Sequence, residues 1–200
     1  MNRFTGIMLR AGKHYQPPSL SSIGHSNVKG LRLVLLGAPG AGKGSYAKYI
    51  GHYFSVPVIS TGDLLRKEIA LNTPVGQEVH SITKQGGLVN DGIIFDLLKV
   101  RLAQDDVVNG YILDGFPRKL SQAQAFDALT QDKANGILPI TTALNISLRE
   151  DIIIRKALAR RTCSKCNAGY NLEHVDEDGI YMPALLPRVD NVCDVVRRTG

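Results

Sequence analysis

Leu31-Arg32-Leu33-Val34-Leu35-Leu36-Gly37-Ala38-Pro39-Gly40-Ala41-Gly42-Lys43-Gly44-Ser45 is the stretch whose reading decides the fold. Its first six residues are apolar except for Arg32, the texture of a strand buried on both faces. Gly37 breaks the run, and residues from about Gly42 to Phe54 then read as a helix. Strand, glycine-rich turn and helix are the setting a phosphate loop needs. Gly37, Gly40, Gly42 and Gly44 permit backbone angles that a Cβ forbids. The loop, with Pro39, Ala41 and Ser45, can then turn its N–H groups toward phosphate oxygens. The helix adds its positive N-terminal end, and Lys43 supplies a full charge to the β and γ phosphates. The general pattern G-x4-G-K-[ST] is not matched outright, because Gly44 takes the Ser/Thr place and Ser45 follows one later. The competing reading is a glycine-rich turn beside a solvated lysine, which four glycines between a buried strand and a helix disfavour.

Downstream, Val56–Ile59 reads as a second short strand, followed by helices around Asp63–Leu71 and Val75–Gln85. Asn90 and Asp91 are cap candidates for a helix through about Ala103. Tyr111-Ile112-Leu113 is a third strand, ending at Asp114-Gly115. Ser121 is expected to cap a helix over Gln122–Leu129. Thr141–Ile146 is a fourth strand and Glu150–Arg161 a helix. Short apolar strands alternating with helices predict an α/β fold with a mostly parallel sheet flanked by helices. Chemistry in such folds gathers at the carboxyl ends of the strands.

Charge and composition bound the function. The chain has 200 residues and a formal charge of +6. No apolar run reaches the ~18–20 residues that span a bilayer. All 18 acids lie at or after Asp63, and residues 1–62 carry seven Lys/Arg and no acid. The remaining 17 bases are balanced by those 18 acids, so the basic character belongs to the front of the chain and no nucleic-acid partner is expected. Residues 1–29 read as a leader, either an organellar transit peptide, mitochondrial by its Arg, Ser and lack of acids, or a disordered tail on a cytoplasmic protein. Cys163, Cys166 and Cys193 are an odd set with one C-x-x-C, which points to metal ligands or reduced thiols rather than a disulfide framework. His52, His80 and His174 sit in no motif.

The loop's form, G-x-P-G-x-G-K-G-[ST], resembles the adenylate kinase family of nucleoside monophosphate kinases, and further words support the likeness. Ser60-Thr61-Gly62-Asp63-Leu64-Leu65-Arg66 is similar to S-[TS]-G-D-[LM]-L-R. Gln85-Gly86-Gly87-Leu88-Val89-Asn90-Asp91 resembles Q-G-x-L-V-P-D-D, with Asn90 in place of Pro. Asp114-Gly115-Phe116-Pro117-Arg118 matches D-G-F-P-R, with Lys119 where Thr is usual. Arg160-Arg161-Thr162-Cys163-Ser164-Lys165-Cys166 matches the start of a long lid, R-R-x-C-x-x-C.

The resemblance implies a P-loop kinase domain over residues 30–200, with an AMP-binding insert at about 60–89 and a lid at about 160–200. It implies transfer of the γ-phosphoryl of MgATP to AMP, giving two ADP. Lys43 and Mg²⁺ would meet the triphosphate, with Asp114 orienting the metal through water. Thr61, Gly87, Leu88, Val89, Gly115 and Gln122 would surround AMP, and Arg66 and Arg118 would hold its phosphate. Arg160 and Arg161 would clamp the triphosphate as the lid closes and excludes water. The arginine expected four residues earlier is Lys156 here. In long-lid members cysteine pairs hold structural Zn²⁺. Cys163, Cys166 and Cys193 supply three ligands, and Val196, where a fourth is expected, cannot ligate. Asp194 is off-register and Thr199 an imperfect candidate, so a lid held by packing with reduced thiols stays open.

The resemblance also implies a monomer and a family core continuing past residue 200, so the chain reads as C-terminally truncated. Two alternatives accompany this reading: a GTP:AMP phosphotransferase, and a truncated, non-catalytic nucleotide-binding protein.

Overall fold

The computed structural model describes residues 30–166, 168–189 and 192–196. The expected leader and Thr199 lie outside these. The described chain forms two bodies, residues 30–36 with 43–145, and residues 37–42 with the rest from 146 onward.

The first body is built on β1 (Leu31–Leu36), β2 (Val58–Ser60), β3 (Gly110–Asp114) and β4 (Thr142–Asn145), ordered β2-β3-β1-β4 and all parallel. The strands are short and apolar because their central members are covered on both faces. Leu33, Val34 and Leu35 of β1 and Tyr111, Ile112 and Leu113 of β3 are all buried. Helices α1 (Lys43–Phe54), α2 (Thr61–Ala70), α3 (Pro74–Lys84), α4 (Asp91–Leu102) and α5 (Leu120–Gln131) connect them. Val34, Ile59, Leu98, Leu102, Tyr111, Leu113, Phe116, Phe126 and Ile137 make the core of this body. Phe116 meets Phe95 and Phe126 edge-on, with ring centroids 5.3 and 5.6 Å away. Helix α1 approaches the sheet closely at Gly51, where a Cβ would stand 2.9 Å from Val58 Cγ2.

The helix starts follow side-chain chemistry. Ser60, Thr73 and Asn90 accept from the backbone N–H groups of Asp63, Gly76 and Gly92. Asn90, in the place of the family's usual Pro, thus caps α4. The expected cap at Ser121 is corrected: α5 begins earlier, at Leu120, with Lys119 at the cap position and no side-chain cap bond. The third residue of the helix, Gln122, instead reaches back to the Arg118 N–H, relieving the unsatisfied donors of the turn.

The second body contains α6 (Glu150–Leu158) and two antiparallel hairpins, β5 (Arg160–Thr162) with β6 (Gly169–Asn171) and β7 (Val175–Glu177) with β8 (Ile180–Met182). The expected helix through Arg161 therefore ends early. The Ala159 N–H closes on Arg155 O, and Arg160 and Arg161 pair as a strand with Asn171 and Tyr170. No helix among the described residues is long and apolar enough to cross a membrane.

Candidate active site

Strand register brings the first group of side chains together. Asp114, the last residue of β3, lies between Leu35 of β1 and Ser60 of β2. The chains leave the sheet there, so Thr61 and Gly115 emerge side by side. Thr61 is 4% exposed and its Oγ1 donates to Gly115 O at 3.1 Å. Arg118 Nε donates to the same carbonyl at 2.9 Å. Gly115 has φ +80°, and a Cβ on it would stand 3.1 Å from Thr61 Oγ1 and 3.4 Å from Arg118 Nη2. Glycine is required by both the backbone angle and the space. Arg66 is exposed on α2, paired with Asp63 at 2.5 Å, and its Nη1 lies 3.1 Å from where a Gly62 Cβ would be.

Gln122 joins this group through the backbone. Its Oε1 accepts from the Arg118 N–H at 2.7 Å, and its Nε2 donates to Asp91 Oδ1 at 2.8 Å. The other Asp91 oxygen pairs with Lys119 Nζ at 2.7 Å. The hydrogen bonds from Lys119, then Gln122, hold the Asp91 carboxyl below the usual carboxylate range. The sequence marks Asp91 as a helix-cap candidate at the end of the Gln85–Asp91 segment and Lys119 as a departure from Thr. A carboxylate on one segment and an unexpected base on another were the available signal. Of the segment before α4, Gly87 packs near Ile82 of α3, Val89 is half-buried, and Leu88 is 93% exposed.

At the start of α1, Lys43 is half-buried and Gly44 and Ser45 are exposed. A Cβ on Gly44 would stand 3.3 Å from Asp114 Oδ2. The glycine in the Ser/Thr place thus leaves room for a carboxylate beside the helix N-terminus. Upstream, Gly37, Gly40 and Gly42 have φ of +135°, +88° and +88°. A Gly37 Cβ would collide with Ile146 O at 2.2 Å. Ala41 is buried, and its N–H donates to Ala38 O at 3.2 Å, closing the turn next to Pro39.

In the second body, Arg160 and Arg161 are exposed on β5, and Arg161 Nη1 donates to Leu158 O and Arg160 O. Lys156 stands where the resemblance expects an arginine. It is 5% exposed, and its ammonium donates to Glu173 O at 2.8 Å, with Met182 O at 3.5 Å. Burial pushes its pKa down, against the opposing pull of Glu173. Arg149 pairs with Asp151, Glu177 and Asp178, and Arg155 with Glu173 and Glu177, tying α6 to the β7–β8 hairpin.

The thiols of Cys163, Cys166 and Cys193 converge, all Sγ atoms lying within 4.8 Å of one another. The turn that gathers the C-x-x-C is closed by the Cys163 N–H on Ala168 O at 2.9 Å. Cys193 is pulled down to about 6 by the Tyr170 hydroxyl, then by the Val196 N–H. Asp194 Oδ1 accepts from the Arg188 N–H at 3.0 Å. The donor set fits a soft, thiolate-binding ion such as Zn²⁺ with three protein ligands.

The sequence profile described as Adenylate kinase matches residues 35–198. The chain belongs to the adenylate kinase family. An adenylate kinase of Clostridium tetani is 38% identical over 165 residues, covering 82% of this chain and 70% of the relative. One from Clostridium perfringens (strain SM101) is 45% identical over 143 residues, covering 72% and 65%. Adenylate kinase 1, chloroplastic, of Arabidopsis thaliana is 39% identical over 199 residues, covering 93% and 67%. The chain spans about two thirds of the length of the curated relatives it matches.

Adenylate kinases in general use Mg²⁺ with ATP. The cradle at Gly44, which a Cβ would narrow, and the hard oxygen donors of Asp114 and Ser45 fit such an ion.

Proposed function

We propose that this adenylate kinase family member transfers the γ-phosphoryl group of MgATP to AMP, giving two ADP. The observation that carries the reading is the convergence of Thr61, Gly115, Arg118 and Gln122 at the carboxyl end of β3. In this reading Arg118 and Arg66 offer planar forks to the AMP phosphate. Gln122 reads the base edge, with Thr61 and Gly87–Val89 around it. The phosphate-loop N–H groups and Lys43 hold the β and γ phosphates of the donor. Asp114 and Ser45 would hold Mg²⁺, which when bound neutralises donor charge. Arg160 and Arg161 stabilise charge on the transferring group. A phosphate oxygen of AMP attacks the γ-phosphorus in line and ADP leaves, with no covalent protein intermediate. Rate then comes from orientation and electrostatics.

A coupled ADP-formation assay tests this, using the full chain with MgATP and AMP, and GTP as an alternative donor. AMP-dependent ADP formation with ATP supports the reading. Faster turnover with GTP reassigns the donor, and nucleotide binding without turnover reassigns the chain to a non-catalytic role.

The composition of residues 1–29 supports an organellar destination, mitochondrial in our reading, whereas the Arabidopsis relative is named chloroplastic. Residues 1–29 fused to a fluorescent protein should collect in mitochondria, and a diffuse or plastid signal contradicts it. We further propose that Cys163, Cys166 and Cys193 bind one structural Zn²⁺.

A further inference from the structure

The Gln122 carboxamide is buried at 4% exposure, and both its ends already hold a partner. Which end faces which way decides what an amide can read. The adenine edge offers a donor at N6 beside an acceptor at N1. The hypoxanthine edge offers an acceptor at O6 beside a donor at N1. One orientation of Gln matches the first and the flipped orientation matches the second. A free side-chain amide flips at little cost, so a lone Gln discriminates weakly between them.

This amide is not free. The Arg118 N–H can only donate, so it selects Oε1. An ionised Asp91 carboxylate can only accept, so it selects Nε2. The two choices agree. Each amide end keeps spare capacity, one N–H and one lone pair. Lys119 holds the second Asp91 oxygen, which stops the carboxylate from turning away and cancels its charge beside the phosphate-binding Arg118. The three residues come from two segments, the first turn of α4 and the start of α5, so the arrangement is tertiary rather than local.

We propose that Asp91 and Lys119 are a positioning pair that locks the sense of the Gln122 carboxamide, so that the site takes a 6-aminopurine monophosphate and rejects a 6-oxopurine monophosphate. The inference rests on the reading above that Gln122 faces the base of AMP. Asp91 acts through Gln122 and touches no substrate. Lys119 acts through Asp91.

The test is equilibrium binding of AMP and of inosine monophosphate to the full chain, with melting temperature recorded for every variant. Wild type is expected to prefer AMP. Asp91→Ala is expected to lower that preference about tenfold, the order of one hydrogen bond to a charged group. Lys119→Met lowers it less, and Lys119→Arg, which keeps the ion pair, restores it. In a Gln122→Ala background, Asp91→Ala leaves the preference where Gln122→Ala alone puts it, because the two act as one unit. A fall in melting temperature with unchanged preference in Asp91→Ala makes the pair merely structural and overturns the proposal. So does an equal effect of Asp91→Ala with and without Gln122. Either result leaves the AMP reading intact if wild type still prefers AMP. A wild-type chain that binds neither nucleotide, or both equally, overturns that reading and the proposal together.

Discussion

Lys156 and Gln122 are buried polar side chains whose partners give them different work. The Lys156 ammonium is enclosed by carbonyls of Glu173 and Met182 and anchors the second body from inside. Lys156→Met keeps the stem but takes the ammonium donor away from those carbonyls. It should cost about 1–3 kcal/mol in denaturant unfolding and leave the KM for ATP unchanged. A raised ATP KM with unaltered stability would return Lys156 to the triphosphate. The phosphate-loop glycines, Asp114 and Arg118 stood out in the sequence because their spacing is local and their types are demanding. Asp91, Lys119 and the burial of Lys156 did not, because each depends on partners 17 to 31 residues away. Neither hydropathy period nor cap preference carries that information.

At the scale of elements, strands and helices were legible wherever burial dictated an apolar run, as in β1 and β3. Two of the misses fell at helix ends. The sequence favours Ser121 as a cap, but the Gln122 side chain satisfies the turn first. It lets the helix run to Arg161, but pairing with β6 takes Arg160 and Arg161 into a strand. The Arg149–Asp151 ion pair at the start of α6 carries a pH signature. Arg149 holds the Asp151 carboxyl at about 2, below its ordinary 3.8. Such a group stabilises the fold fully above 3.8, and its contribution fades as pH falls toward 2. Melting curves from pH 5 to pH 2 should fall more steeply for wild type than for Asp151→Asn, and parallel curves would mean the pair does nothing. The cysteine turn gives a separate prediction. The chain prepared with zinc should carry about one ion, and Cys166→Ser should lose it together with melting temperature. Absence of zinc in wild type, with Cys166→Ser melting alike, would indicate a hairpin held by packing and reduced thiols.

Over the whole molecule, the +6 charge resolves into distinct uses. Four of the basic residues lie within residues 1–29, while Lys43, Arg66 and Arg118 sit at the carboxyl end of a parallel sheet and suit phosphate groups. In the proposed reaction this site passes a phosphoryl group to AMP and not to water. The most direct measurement uses ATP labelled at the γ-phosphate, incubated with Mg²⁺, AMP and the full chain. Label is expected in ADP, dependent on AMP, with Lys43→Met and Arg118→Ala each slowing its appearance by about 100-fold. Label released as inorganic phosphate, or retained in ATP when AMP is present, would contradict it.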